Sequence, residues 1–178
     1  MNANQPAETA GPPLPEPWLR GTLTEIAAVP RAVLHALELA AEDLQKWCGP
    51  LTGDELNGRP ADLPAVAFHI RHISRSLDRL LTYAEGGALT REQLEALKNE
   101  AQPGATREAL FAELTAALTS SAERVRTLAQ TDLDQLRTVG KKALPTTLGG
   151  LLVHVADHTQ RHVGQAITTA KIIVAQRL

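Results

Sequence analysis

The sequence has little of what several common classes of protein require. It contains one cysteine, Cys48, which excludes an internal disulfide and any zinc site built from cysteines. Basic side chains number 18 against 20 acidic ones, so no cationic surplus is available to hold a nucleic-acid backbone. No apolar stretch approaches the roughly 20 residues needed to cross a membrane. These absences predict a cytoplasmic protein that binds neither nucleic acid nor membrane.

The N-terminal segment also lacks the basic start and apolar stretch of a signal peptide. It contains instead the prolines Pro6, Pro12, Pro13, Pro15 and Pro17. We therefore predict a flexible proline-rich tail over residues 1–17 and a single domain over residues 18–178. A chain of 178 residues buries a sizeable core without a structural metal, so any bound metal is expected to serve function.

Helical periodicity is what the sequence does contain. Ala, Leu and Glu are abundant, and the alternation typical of strands is nearly absent. Long helices are predicted from about Pro30 to Gly49, over 63–83, from Thr106 to about 128, and over 146–174, with a short one over 91–99. Four long amphipathic helices and no strands predict an all-α four-helix bundle. The links between the helices are long enough for crossover connections.

Five of the six histidines fall in two of these helices. The second helix carries His69 and His72, and the fourth carries His154, His158 and His162. The spacing of the latter three places them within about 80° of one another around the helix. Two imidazoles one turn apart reach a single ion at about 2.0–2.1 Å per nitrogen. The pattern predicts one divalent metal ion bound by His158, His162 and a third histidine.

The third ligand is expected from the second helix, where either His69 or His72 would suffice. Both lie at the edge of the apolar face, and His69 is nearer the core by its position around the helix. His154 is expected to line the site or support a ligand instead of binding the ion. Asp157 lies about 100° from His158 around the helix and is expected on a solvated edge.

Two segments resemble those of a known family. Residues 65–79, AVAFHIRHISRSLDR, resemble the second helix of the DinB/YfiT-like superfamily, and residues 154–165, HVADHTQRHVGQ, resemble its fourth-helix signature. The order and lengths of the helices are similar over most of the chain from about residue 20. The resemblance implies a four-helix bundle with crossover connections, often a homodimer, that holds a divalent metal at a three-histidine site.

The family pattern also bears on the choice of ligands. Its helix-two ligand falls on His72, so the resemblance implies the metal ligands His72, His158 and His162, with His69 as the alternative to His72. Many members carry a histidine or arginine directly after the last ligand, whereas this chain has Val163. The chain therefore departs from the family pattern at this position.

Three imidazoles leave coordination positions open for water or substrate, which favours a metal-dependent enzyme. Some members of the family resemble S-transferases that use low-molecular-weight thiols such as bacillithiol or mycothiol. The hypothesis we prefer is such a transferase, in which a metal-bound thiolate attacks a small electrophile and His69 or His154 moves a proton.

Two other hypotheses compete with it. A metal-dependent hydrolase would need a general base, and no Glu or Asp is well placed on the histidine face. A non-enzymatic metal-binding module of a stress response is the other. Zinc is the ion expected from the ligand type, and nickel, iron or copper also suit three imidazoles.

Overall fold

The computed structural model of the protein describes residues 14–177, most of which are helical. The elements in chain order are α1 Ala28–Cys48, α2 Gly53–Asn57, α3 Val66–Ala84, α4 Arg91–Lys98, α5 Arg107–Leu128, β1 Leu136–Val139, β2 Leu144–Thr147 and α6 Leu148–Ala175. Most of the tail predicted over residues 1–17 lies outside the described part of the chain. No helix within 14–177 has both the length and the apolar character needed to cross a bilayer.

The four long helices surround one apolar core. Large side chains from all of them are fully buried, among them Leu44, Ile70, Leu77, Leu110 and Leu152. Each such side chain stabilises the fold by about 1.5–3 kcal/mol relative to exposure. The predicted all-α bundle is confirmed.

The order of the helices around the bundle explains the long links. α6 packs along both α1 and α3, and α5 packs along the same two helices on the opposite side. The successive long helices α1 and α3 are therefore diagonal neighbours, as are α5 and α6. The connections between the members of each pair cross the end of the bundle, as the link lengths predicted.

Side-chain caps define several helix starts. The hydroxyl of Thr90 accepts a hydrogen bond from the backbone amide of Gln93, and the side-chain oxygen of Gln93 accepts one from the backbone amide of Thr90. These two bonds form the predicted capping box of α4. Thr106 caps α5 as predicted. The connector predicted after α1 also contains a helix, α2, because Thr52 and Glu55 form a second capping box there.

The prediction of a bundle without strands is wrong in one place. β1 and β2 form an antiparallel hairpin in the segment expected to be a polar crossover. Its large apolar side chains, Leu136 and Leu144, are exposed, so the strands carry no apolar alternation that a sequence pattern would show. Arg137 ties the hairpin to the end of α3 by donating from Nε to the Ala84 carbonyl.

Two predicted helix starts are also too early. The second long helix begins at Val66 and not at 63, because Leu63 precedes Pro64 and is held in an extended conformation. The fourth begins at Leu148, because the residues before it belong to β2 and the hydroxyl of Thr147 caps the Gly150 amide.

Candidate metal centre

α3 and α6 bring three histidines together. His72 of α3 and His158 and His162 of α6 each offer one ring nitrogen, and these three nitrogens lie within 4.8 Å of one another. The ring centroid of His162 is 4.3 Å from that of His72 and 4.7 Å from that of His158. All three side chains are partly buried. We call this group the histidine cluster; it includes His72, and His69 is outside it.

The spacing of His72 and His158 fits one ion. The Nε2 atoms of His72 and His158 are 3.4 Å apart. Two nitrogens that each lie 2.0–2.1 Å from a tetrahedral ion are about 3.3 Å apart. The Nε2 of His158 therefore faces the cluster, and its buried Nδ1 has no hydrogen-bonding partner within residues 14–177. The donor set and its geometry therefore suit zinc or a similar divalent metal.

Burial keeps the two imidazoles that α6 contributes to the cluster neutral. Burial first, and then the neighbouring rings of His162 and His72, lower the pKa of His158 to about 4. Burial also lowers the pKa of His162 to about 4, with His72 and Arg161 as the next causes. Neutral imidazole is the form that binds a metal, so these two side chains are in their ligand form at neutral pH.

His69 lies behind the cluster. Its side chain is almost fully buried, at 3% exposure, and its Nδ1 is 3.2 Å from the Nδ1 of His162. Burial, followed by the rings of His162 and His72, lowers the pKa of His69 to about 4. In this contact one ring donates and the other accepts, so it engages Nδ1 of His162.

His154 borders the cluster on its open side. Its side chain is 46% exposed, and its ring centroid is 5.4 Å from that of His158. Asp157 is exposed as expected and pairs with Arg161 one turn along the helix. Solvent therefore reaches His154 and Asp157, whereas His69 is shielded from it.

A carboxylate that sequence reasoning missed touches the cluster. Oε2 of Glu100 is 2.6 Å from Nδ1 of His72, and its Oε1 accepts a hydrogen bond from Arg79. Burial raises the pKa of Glu100, but the hydrogen bonds from His72 and Arg79 outweigh it and leave the pKa below its usual range. Glu100 follows α4 in a loop, so helical periodicity carries no signal for it. The sequence indicated no Glu or Asp on the histidine face of the helices, and Glu100 reaches His72 from outside that face.

A cavity of about 360 Å³ lies beside the cluster. One wall is Phe68, whose ring stacks on His72 with centroids 5.5 Å apart, and Glu100 forms another part of the lining. Pro64 and Pro103 add apolar surface, and Arg59 contributes a cation. This size and largely apolar lining are typical of small-molecule sites.

The comparisons with known proteins agree with this architecture. The family model of the DinB superfamily matches residues 36–166, a range that contains the whole histidine cluster. The crystal structure of a conserved protein from Enterococcus faecalis is similar over 84% of this chain and 99% of its own, with a TM-score of 0.65 and 22% sequence identity. At that identity the likeness shows the fold alone. No protein of curated function matches the sequence.

Proposed function

The chain belongs to the DinB superfamily, and on that premise we propose that it is a metal-dependent enzyme with one divalent ion on His72, His158 and His162. The observation that carries the proposal is the convergence of three imidazole nitrogens from two helices within 4.8 Å. Three protein ligands leave positions for water or substrate, as a catalytic site requires. Zinc is the ion we propose, with nickel, iron or copper as the other occupants that the ligands suit.

The reaction we propose is transfer of a low-molecular-weight thiol to a small electrophile. A bound divalent ion favours the thiolate form of a coordinated thiol. The thiol has to come from a second small molecule, because the chain's Cys48 is fully buried and burial raises its pKa to about 12. The new sulfur–carbon bond forms as the leaving group departs with its bonding electrons.

Two features of the chain support this reaction beside the cluster. His154 is the better placed of the two candidate proton carriers, because it is exposed whereas His69 is enclosed and engaged with His162. The thiol proton would pass through His154 to solvent. The cavity lined by Phe68 offers apolar surface for the electrophile.

Hydrolysis is the second candidate, and Glu100 is the observation that favours it, since a general base is required. Both oxygens of Glu100 are already engaged, one by His72 and one by Arg79. These contacts hold the carboxylate on the Nδ1 side of the His72 ring, whereas Nε2 is the atom near His158. We therefore rank hydrolysis below thiol transfer.

The test combines metal analysis with a thiol panel. We expect about one equivalent of divalent metal per purified chain, and conjugation of bacillithiol, mycothiol or glutathione to chlorodinitrobenzene that disappears on chelation and in His158→Ala. The matched control is His35→Gln, which alters a buried histidine bonded to Thr22, away from the cluster. Ester cleavage without thiol would favour hydrolysis, and a metal-loaded protein inactive in both assays would overturn the enzymatic proposal.

A further inference from the structure

Glu100 is a charged residue in an unusual environment. Its side chain is only 4% exposed, although carboxylates are rarely buried unless they are paired. One oxygen contacts Nδ1 of His72 and the other contacts Arg79. These two partners lie seven residues apart on α3, which places them on the same face two turns from each other. The carboxylate therefore bridges a member of the histidine cluster and a buried cation.

The loop that carries Glu100 is itself fastened to α3. Nη1 of Arg71 donates to the carbonyl oxygens of Glu100, at 3.2 Å, and Gln102, at 2.6 Å. Nη1 of Arg75 donates to the carbonyl of Ala96 at 2.7 Å. Together with Arg79, three arginines of one helix hold the end of α4 and the following loop in place. Burying such charges carries a desolvation cost that a simple loop anchor does not require.

The hydrogen bond between Glu100 and His72 determines which ring nitrogen is free. An ionised carboxylate only accepts hydrogen bonds, so the proton in the 2.6 Å contact belongs to Nδ1 of His72. When the ring carries this one proton, its lone pair is on Nε2, the atom that lies 3.4 Å from Nε2 of His158. A carboxylate behind a histidine fixes the tautomer and orientation of the ring and strengthens its other nitrogen as a ligand.

We propose that Glu100 is a positioning residue that holds His72 with Nε2 directed into the histidine cluster, and that Arg79 holds Glu100 for this task. The inference rests on the proposed metal site. The competing interpretation is that Glu100 and Arg79 only join the loop after α4 to α3. Under that interpretation, removal of the carboxylate changes the stability of the fold and leaves the affinity for metal unchanged.

The experiment compares Glu100→Gln with Glu113→Gln in the full chain. Glu113 is a matched control because it also pairs with an arginine of α3, Arg75, at 2.8 Å, but it does not touch a histidine. Zinc affinity is measured by competition with a chromophoric chelator, and the ligand field is read from the absorption spectrum of the cobalt-substituted protein. We expect Glu100→Gln to weaken zinc binding about 10- to 100-fold and to alter the cobalt spectrum. The zinc affinity of Glu113→Gln should stay within about twofold of the wild-type value.

A second measurement does not depend on the folding of a variant. Nitrogen-15 NMR of the metal-free wild type reports the tautomer of His72, and we expect the proton on Nδ1. A proton on Nε2 would overturn the proposal, as would unchanged zinc affinity in Glu100→Gln. Wild-type protein that binds no zinc would refute the metal site, and the role of Glu100 with it. Wild-type binding with an unaffected Glu100→Gln would refute the role of Glu100 alone.

Discussion

The two helices that form the histidine cluster support their imidazoles in different ways. On α3, His72 rests against the Glu100 carboxylate, which is held in turn by Arg79. On α6, the buried Nδ1 of His158 has no partner among residues 14–177, and the Nδ1 of His162 meets only the ring of His69. The α3 side is supported by charged groups, and the α6 side by the helix itself and one neutral ring.

The difference follows from how each histidine is placed. His158 and His162 are four residues apart on one helix, so the backbone alone sets their separation. His72 comes from another helix and has to be aligned across the interface. An external hydrogen bond is of most use to a side chain of that kind. All three imidazoles should therefore be needed for a metal to bind, and the support behind His72 should set how tightly it binds.

The largest expected effect is loss of the metal when a member of the cluster is removed. His158→Ala and His72→Ala should each weaken zinc binding by more than about 100-fold, since two imidazoles remain where three converge. The variant His154→Ala should retain one equivalent of metal, because the exposed ring of His154 lies outside the cluster. Elemental analysis after desalting measures the content of each variant. Full metal content in His158→Ala would contradict the proposed site.

The variant His69→Ala tests whether His69 binds the metal itself or only contacts His162. We expect it to retain one equivalent of metal and to bind about 10-fold more weakly, because it removes the ring that contacts Nδ1 of His162. Metal loss as complete as in His72→Ala would instead make His69 a ligand. Competition with a chelator distinguishes these outcomes.

The helical part of the fold could be predicted because its signals are local. Ile70, Ile73 and Leu77 form an apolar stripe in the sequence, and all three are fully buried. Thr90 and Thr106 act within their own first turns, so their caps could also be recognised. The hairpin could not be predicted, because it is formed by main-chain pairing between two exposed segments that share no apolar pattern.

The site shows a second limit of sequence reasoning. Position around the helix favoured His69 as the buried histidine, and His69 is indeed the more buried, but burial is not what brings a ring into the cluster. His72, at the edge of the apolar face, is the one that faces His158. Glu100 is placed by arginines 21 to 29 residues away in the sequence, and no local pattern records such contacts.

The next effect concerns stability and pH. His69, His158 and His162 have a pKa of about 4 in the fold, against 6.5 for an unperturbed histidine. Between these values the unfolded chain binds more protons, so the free energy of unfolding falls as the pH falls from about 6.5 to about 4. For buried His69 alone the loss is on the order of 2 kcal/mol.

Urea unfolding of the metal-free protein at several pH values tests this prediction. Glu100 affects stability at lower pH, because its pKa lies below the usual 4.5. Its contribution to the free energy of unfolding is lost only as the pH falls through that lowered pKa. A loss of stability that starts near pH 6.5 therefore reports on the imidazoles. His69→Gln should reduce the slope in that window, and an equally steep slope in that variant would show that His69 is not its source.

The smallest expected effect is on stability, and it compares one buried hydroxyl on α3 with one on α6. Ser74 of α3 donates to the Ile70 carbonyl at 2.9 Å, whereas the buried hydroxyl of Thr159 on α6 has no partner among the described residues. Replacing an unpaired buried hydroxyl by a methyl group of similar shape removes a desolvation penalty. Thr159→Val should raise the free energy of unfolding by about 0.5–1 kcal/mol, and Ser74→Ala should not raise it. If urea unfolding shows that both variants are destabilised, the Thr159 hydroxyl has a hydrogen-bond partner. The contrast between α3 and α6 would then not hold for these hydroxyls.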